Sequence, residues 1–241
     1  MNKKNKLAND SPFRLWNIPE RSWLWYQEWN RAIFIHIKID PDLLVPLIPI
    51  GLEIDKYEGE TWLSIVAFSM ENVHPKGFFP FPPVSNFHEV NVRTYVVKDN
   101  KPGVYFLSIE AEKLIPVILA KYLSGLPYKK SSIIRKVGPI EEYFVKNYRN
   151  SLTIKYKVKN PLNSKSALDI WLTERYCLYN AYCKKLVRLE IQHRPWPLLE
   201  IDIDSIQFNY KIGEKILTNN PIGLVHYSPG VSVQAWNEEI L

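Results

Sequence analysis

The sequence predicts an α+β protein: a large, mostly antiparallel sheet, curled into a barrel, with a few short helices. Three observations carry this. Apolar residues recur with a period of two in several separate stretches, such as "RAIFIHIKI" and "FHEVNVRTYVV". The stretch "TWLSIVAFSM" is apolar on both faces, as a strand buried on two sides must be. Helical periodicity is confined to short segments. With 46% hydrophobic and 13% aromatic residues among 241, the chain can build one sizeable core.

The elements follow in order. Residues 1–12 read as a flexible basic tail, because "MNKKNKLAND" is polar and carries no periodicity. Residues 13–241 contain no convincing linker or repeat and read as a single domain. After "RAIFIHIKI", the segment "DPDLLVPLIP" is a short helix begun by Asp40 or Asp42, interrupted by Pro46 and ended near Pro49. "TWLSIVAFSM" is the central strand. The four prolines of "HPKGFFPFPPVSNF" make it a loop, and its phenylalanines predict that it packs over something. "FHEVNVRTYVVKDNKPGVYFLSIEA" is a hairpin turning at "KDNKPG", with Pro102 and Gly103 as punctuation. "EKLIPVILAKYLSG" is a helix stopped by Gly125 and followed by Pro127. "SLTIKYKV", "WLTERYCLYNAY", "KLVRLEIQH" and "LLEIDIDSI" are further strands, and "NPIGLVHYS" adds one more.

The formal charge is +6, from 31 basic and 25 acidic side chains. The excess is scattered rather than gathered on one element, which argues against nucleic acid as a partner. Cys177 and Cys183 lack CxxC spacing and have no histidine at a metal-ligand interval, so no zinc site is expected. No apolar leader and no run of 18 apolar residues occurs, which predicts no membrane span and a cytoplasmic protein with reduced thiols. Phosphate-loop, GxSxG and HExxH motifs are absent, and no cofactor is expected.

Alternation in "FHEVNVRTYV" puts Phe87, Glu89, Asn91, Arg93 and Tyr95 on one face of a strand. The Cα atoms of Glu89 and Arg93 are then roughly 13 Å apart, too far for a simple ion pair. Either the face is wet, or a ligand spans the row; the flanking aromatics favour a pocket wall. In "GLPYKKSS", Lys129 and Lys130 point to opposite faces if extended, so at most one can enter a barrel. His193 shares a face with Val187, Leu189 and Ile191 and reads either as a hydrogen-bonded core residue or as a pocket proton donor or acceptor. Trp196, between two prolines, is a stiff candidate wall.

At these residues the sequence resembles the YqjF-like family of conserved bacterial proteins, a domain family without an assigned activity. The blocks are "IDPDLLVPLIPIGLEIDKYEGETWLSIVAFSMENVHPKG", "FHEVNVRTYVV", "KPGVYFLSIEA", "GLPYKKS", "LTERYCLY", "HRPWPL" and "VHYSPGVSVQAW", which span the chain after about Trp25. That family is in turn similar to the acetoacetate decarboxylase-like fold, which implies a cone-shaped barrel with a central cavity. The enzymes of that fold carry Gly-Phe-Pro-Lys-Lys, whose first lysine forms a Schiff base and whose second helps set its pKa. Here "GLPYKK" fits the frame from Gly125 to Pro127, but Tyr128 falls at the Schiff-base position and Lys129 at the second lysine. Glu89 matches the cavity glutamate. The resemblance thus implies Glu89 and Lys129 as catalytic candidates, with Asn91, Arg93, Tyr95, Tyr128, His193 and Trp196 around a small organic anion or carbonyl compound. Three readings stay open: a binding protein, a lyase acting on a small keto acid without the usual lysine, and an interaction protein with a filled barrel. A homo-oligomer is compatible with each.

Overall fold

The computed structural model describes residues 11–113, 126, 128–218 and 221–241. Residues 1–10 of the tail expected over 1–12, and residues 114–125 of the helix expected over 112–125 with the Pro127 beyond, lie outside the described residues. In chain order, β1 (Trp25–Lys38) leads into α1 (Pro41–Leu44) and a 3-10 turn, Val45–Leu47. The Asp40 side chain caps α1 by accepting from the Asp42 backbone N–H. Next come β2 (Glu53–Ile54), β3 (Trp62–Pro75), a loop holding α2 (Pro82–Ser85), and the hairpin of β4 (Phe87–Lys98) with β5 (Lys101–Ala111). Then β6 (Tyr128–Lys130) precedes the meander β7 (Ser132–Lys136), β8 (Glu141–Lys146) and β9 (Ser151–Pro161). Helix α3 (Ala167–Thr173) separates these from β10 (Cys177–Tyr182), β11 (Lys185–His193), β12 (Leu199–Ile212), β13 (Lys215–Thr218) and β14 (Ile222–Ile240).

Strands β1, β3, β4, β5, β10, β11 and β14 pair in that order, and β14 pairs back onto β1, closing a barrel. Closure removes the free edges that an open sheet would expose. Neighbours run antiparallel except β5 with β10. That crossing requires Gly103, because a Cβ there would lie 2.7 Å from the Cys177 carbonyl oxygen. A second layer, β12-β9-β8-β7, leaves the barrel through β12 and covers part of its outside. Two apolar cores result. One contains Phe34, Val66, Phe68, Leu189 and Trp196; the other contains Ile33, Ile35, Ile65, Val90, Val92, Tyr143 and Ile154. Strands β1, β3 and β4 serve both, which is why "TWLSIVAFSM" lacks a polar face.

The structure corrects four readings. "WLTERYCLYNAY" is not one strand: α3 holds Trp171 and Leu172, and the strand begins at Cys177. The cause is a capping box, in which Ser166 accepts from the Asp169 N–H and Asp169 accepts from the Ser166 N–H. Three phenylalanines of the proline-rich loop do not pack: Phe78, Phe79 and Phe81 are 70%, 94% and 63% exposed, whereas Phe87 at its end is buried as the first residue of β4. The exposed phenylalanines follow a turn at Gly77, whose positive φ suits glycine. The hairpin turns on Asp99 and Asn100, both with positive φ, while Pro102 and Gly103 belong to β5. Finally, "NPIGLVHYS" is only the start of β14, which continues to Ile240.

Candidate functional site

All seven barrel strands send side chains to one cavity, which is therefore the barrel interior. Most of its polar groups are gathered on one wall. β4 turns Glu89, Asn91 and Arg93 inward, and β6 adds Tyr128. Elsewhere, apart from Gln27 of β1, the lining is aromatic and aliphatic, including Trp29, Phe34 and Trp196. The space open to the centre of a water molecule is about 60 Å³. One water needs on the order of 10–15 Å³ by the same measure, so the cavity suits a ligand of a few heavy atoms.

Glu89 is 3% exposed. Its Oε1 accepts from Asn91 Nδ2 at 3.3 Å and its Oε2 from the Tyr128 hydroxyl at 3.1 Å. Burial pushes its pKa up to about 7, against the pull of those two hydrogen bonds. Among the described residues no cation forms an ion pair with it. Burial, and then the neighbouring carboxyl, hold the Tyr128 hydroxyl well above its ordinary value, so it remains a donor at neutral pH.

Arg93 is also buried, and among the described residues none of the ion pairs includes it. Its guanidinium carbon lies 5.7 Å from the Phe34 ring centre, and Nη2 makes a long 3.5 Å contact to the Leu172 carbonyl oxygen. Arg93 Nε and Asn91 Oδ1 lack hydrogen-bond partners among the described residues. Burial lowers the Arg93 pKa, but an arginine still carries its charge at neutral pH. Trp196 forms the opposite wall, stacked on Trp29 with ring centres 6.2 Å apart and edge-on to Phe34 at 5.0 Å.

Five sequence candidates thus meet: Glu89, Asn91, Arg93, Tyr128 and Trp196. Three fall elsewhere. Tyr95 continues the β4 row but lies beyond the cavity, with its hydroxyl on Leu172 O at 3.0 Å. His193 places Nδ1 2.7 Å from the Arg194 carbonyl and Nε2 3.3 Å from the Arg175 carbonyl, stacks on Tyr176, and does not line the cavity. Lys129 pairs across from Glu110 of β5, on the face of β6 opposite Tyr128, and Lys130 is exposed. Neither lysine lines the cavity: the pleat that turns Tyr128 inward turns Lys129 outward, and Lys130, on the Tyr128 face, lies at the exposed end of β6.

The sequence reading missed the β1 contribution, Gln27, Trp29 and Phe34. Arg31 takes a positive φ, and the β1–β3 register slips between Asn30 and Ile33. This bulge switches the inward face from odd to even numbers, so simple alternation fails across it. Among the described residues no three His, Cys, Asp or Glu side chains converge as metal ligands. Chemically, the site offers a carboxyl able to give or take a proton near pH 7, a hydroxyl donor and a buried guanidinium.

A model of the DUF2071 family, described as an uncharacterised conserved protein, matches residues 26–232. The uncharacterised protein YqjF of Bacillus subtilis is 32% identical over 230 residues, covering 91% of this chain and 93% of that one. Among solved structures, the enduracididine biosynthesis enzyme MppR complexed with pyruvate aligns with a TM-score of 0.63 at 12% identity, over 95% of this chain and 94% of that one. An acetoacetate decarboxylase-like enzyme from Sphingomonas wittichii gives 0.61 at 14% identity, over 92% and 94%. The acetoacetate decarboxylase of Legionella pneumophila gives 0.60 at 13% identity, over 100% and 96%. The fold is therefore acetoacetate decarboxylase-like.

Proposed function

The chain belongs to the DUF2071 family, and from that premise we propose that its barrel binds a small organic acid or carbonyl compound. One observation carries this reading: a buried arginine without a carboxylate partner among the described residues shares an apolar cavity with a carboxyl poised near pH 7. Buried charges are ordinarily paired, so an anionic ligand completes Arg93. Glu89 and Tyr128 then face the carbonyl or hydroxyl end of the same molecule. The fold neighbour complexed with pyruvate supports a ligand of that size.

A lyase is the second reading, favoured by the Glu89 pKa alone. In a 3-oxo acid the bond to the carboxylate carbon would break, carbon dioxide would leave, and the electron pair would pass to the carbonyl held by Tyr128. Protonated Glu89 would then supply the proton to carbon. We also read residues 13–241 as one domain and the compartment as reducing, since Cys177 and Cys183 are unpaired.

The test is titration calorimetry with pyruvate and acetoacetate. Wild type should bind, and Arg93→Leu should bind about 10- to 100-fold more weakly, as expected for a charged hydrogen bond worth roughly 1.5–3 kcal/mol. Absence of binding by the wild type to either acid, or to a wider set of short organic acids, would sink the reading.

A further inference from the structure

Beyond the cavity wall runs a continuous line of buried polar groups from four strands and a helix. The Tyr95 hydroxyl lies 2.5 Å from Ser64 Oγ, and Ser64 Oγ lies 2.6 Å from His36 Nδ1. His36 Nε2 lies 3.2 Å from His226 Nδ1, and His226 Nε2 lies 2.9 Å from Asp169 Oδ1. Tyr95, Ser64 and His36 are fully buried. At the far end, Asp169 and His226 line an outer cleft with Lys159, Glu200 and Asp202. At the near end, Tyr95 is close enough to Arg93 to oppose the fall in the Arg93 pKa. Tyr95 and Arg93 also share one acceptor, Leu172 O, at 3.0 and 3.5 Å.

Such a chain has two consistent orders of protons. With His226 neutral and its Nε2–H on Asp169, His36 Nε2–H donates to His226, Ser64 to His36 and Tyr95 to Ser64. Leu172 O is then left to Arg93. With His226 doubly protonated, its Nδ1–H donates to His36, His36 Nδ1–H to Ser64, Ser64 to Tyr95, and Tyr95 to Leu172 O. Arg93 now competes for that carbonyl and is freer to turn to an incoming carboxylate. We infer that Tyr95, Ser64, His36, His226 and Asp169 form a positioning chain that ties the hold on Arg93 to the protonation of His226 at the outer cleft. This deepens the proposed function, since it rests on Arg93 as the anion anchor.

The groups facing the chain set the sign. His226 meets Asp169 of α3, Lys165 just before α3, His36 of β1, and the cleft groups of β9 and β12. His36 meets Arg93 of β4. Burial keeps both rings below the ordinary histidine pKa, with Asp169 opposing the fall at His226, so the neutral order is the resting one at pH 7. Acidification populates the second order, so anions should bind more tightly as pH falls, and by linkage a bound anion should ease protonation of His226.

Two measurements test this. In ligand-free protein, nitrogen-15 spectra of the histidines should show His36 protonated at Nε2 at neutral pH and moving to Nδ1 as His226 gains its second proton. A His36 tautomer that stays fixed through that titration overturns the chain, whatever the cavity binds. The second is calorimetry with pyruvate in Glu89→Gln, which removes the titration of Glu89 itself. Affinity should rise about fivefold from about pH 7.5 to about pH 5.5. Adding Tyr95→Phe should abolish that dependence, because the Tyr95 hydroxyl also lies 3.5 Å from His36 Nδ1 and its loss severs both routes to Leu172 O, yet leaves the His226 charge in place. A pH dependence unchanged by Tyr95→Phe means a through-space charge effect and refutes the coupling. Failure of pyruvate and other short acids to bind at any pH refutes the anchor reading and the coupling, while the His36 tautomer still reports on the chain itself.

Discussion

Replacing Glu89 by glutamine should stabilise the protein progressively above about pH 4.5 and fully above about pH 7. The folded carboxyl titrates at about 7 against an ordinary value of 4.5. Below about pH 4 the group is protonated in both states and contributes nothing to the balance. As pH rises through the unfolded value, the unfolded chain releases its proton while the folded one keeps it uncharged in an apolar wall. Stability is therefore lost between about pH 4.5 and pH 7 and stays lost above. Each pH unit of displacement is worth about 1.4 kcal/mol, giving a cost of about 3 kcal/mol. Glutamine removes that cost and keeps the shape. Tyr128 can still donate to the amide oxygen, and Asn91 can offer its unpartnered Oδ1 to the new amide N–H. Urea unfolding at about pH 5 and about pH 8.5 should show the variant gaining about 3 kcal/mol at the higher pH and little at the lower. In a chain of this size the thermal midpoint should rise by about 6–12 °C at the higher pH. An equal gap between variant and wild type at both values would show that Glu89 keeps an ordinary pKa, and the acid–base reading would fall with it.

Incubation with acetoacetate and borohydride should leave the intact mass unchanged, because Tyr128 holds the inward position of β6 and cannot form an imine. An adduct mapping to Lys129 and lost in Lys129→Ala would restore a Schiff-base mechanism. Ser166→Ala should destabilise the fold by about 1 kcal/mol through loss of the α3 cap. Because Leu172 of that helix holds both Tyr95 and Arg93, the same variant should weaken pyruvate binding. Unchanged affinity in a measurably destabilised variant would show that α3 does not set the Arg93 position.

The β4 wall was legible because nothing interrupts its alternation from Phe87 to Tyr95 and because three successive inward positions are polar. The pattern could not say where the cavity ends, so Tyr95 was grouped with residues it only supports. For His193 the spacing fixes a face but leaves the core and pocket readings open; the structure gives the core one, through carbonyls of the adjacent Arg194 and the distant Arg175. The β1 wall was hidden by the bulge at Arg31, and α3 by apolar residues that serve a helix or a strand equally well. His36 and His226 could not be paired from sequence at all. They lie 190 positions apart and meet only because β1 and β14 are adjacent. The sequence left Tyr128 against the two lysines open: the resemblance aligned Tyr128 with the inward position, but alternation alone does not choose which face turns inward.

That adjacency of β1 and β14 has a consequence for synthesis. Trp25 pairs with Ala235 and Ile37 with Ile222, so the barrel cannot close until roughly 200 residues after its first strand has left the ribosome. At about 5–20 residues per second this takes on the order of 10–40 s. During that interval the nascent chain presents the free edge of β1 and the unfilled aromatic wall around Trp29 and Phe34. Both are surfaces that bind other unfinished chains as readily as they bind β14. The yield of folded protein in cells should therefore depend on the speed of elongation through the last strand and on holding chaperones, more than on the stability of the finished barrel.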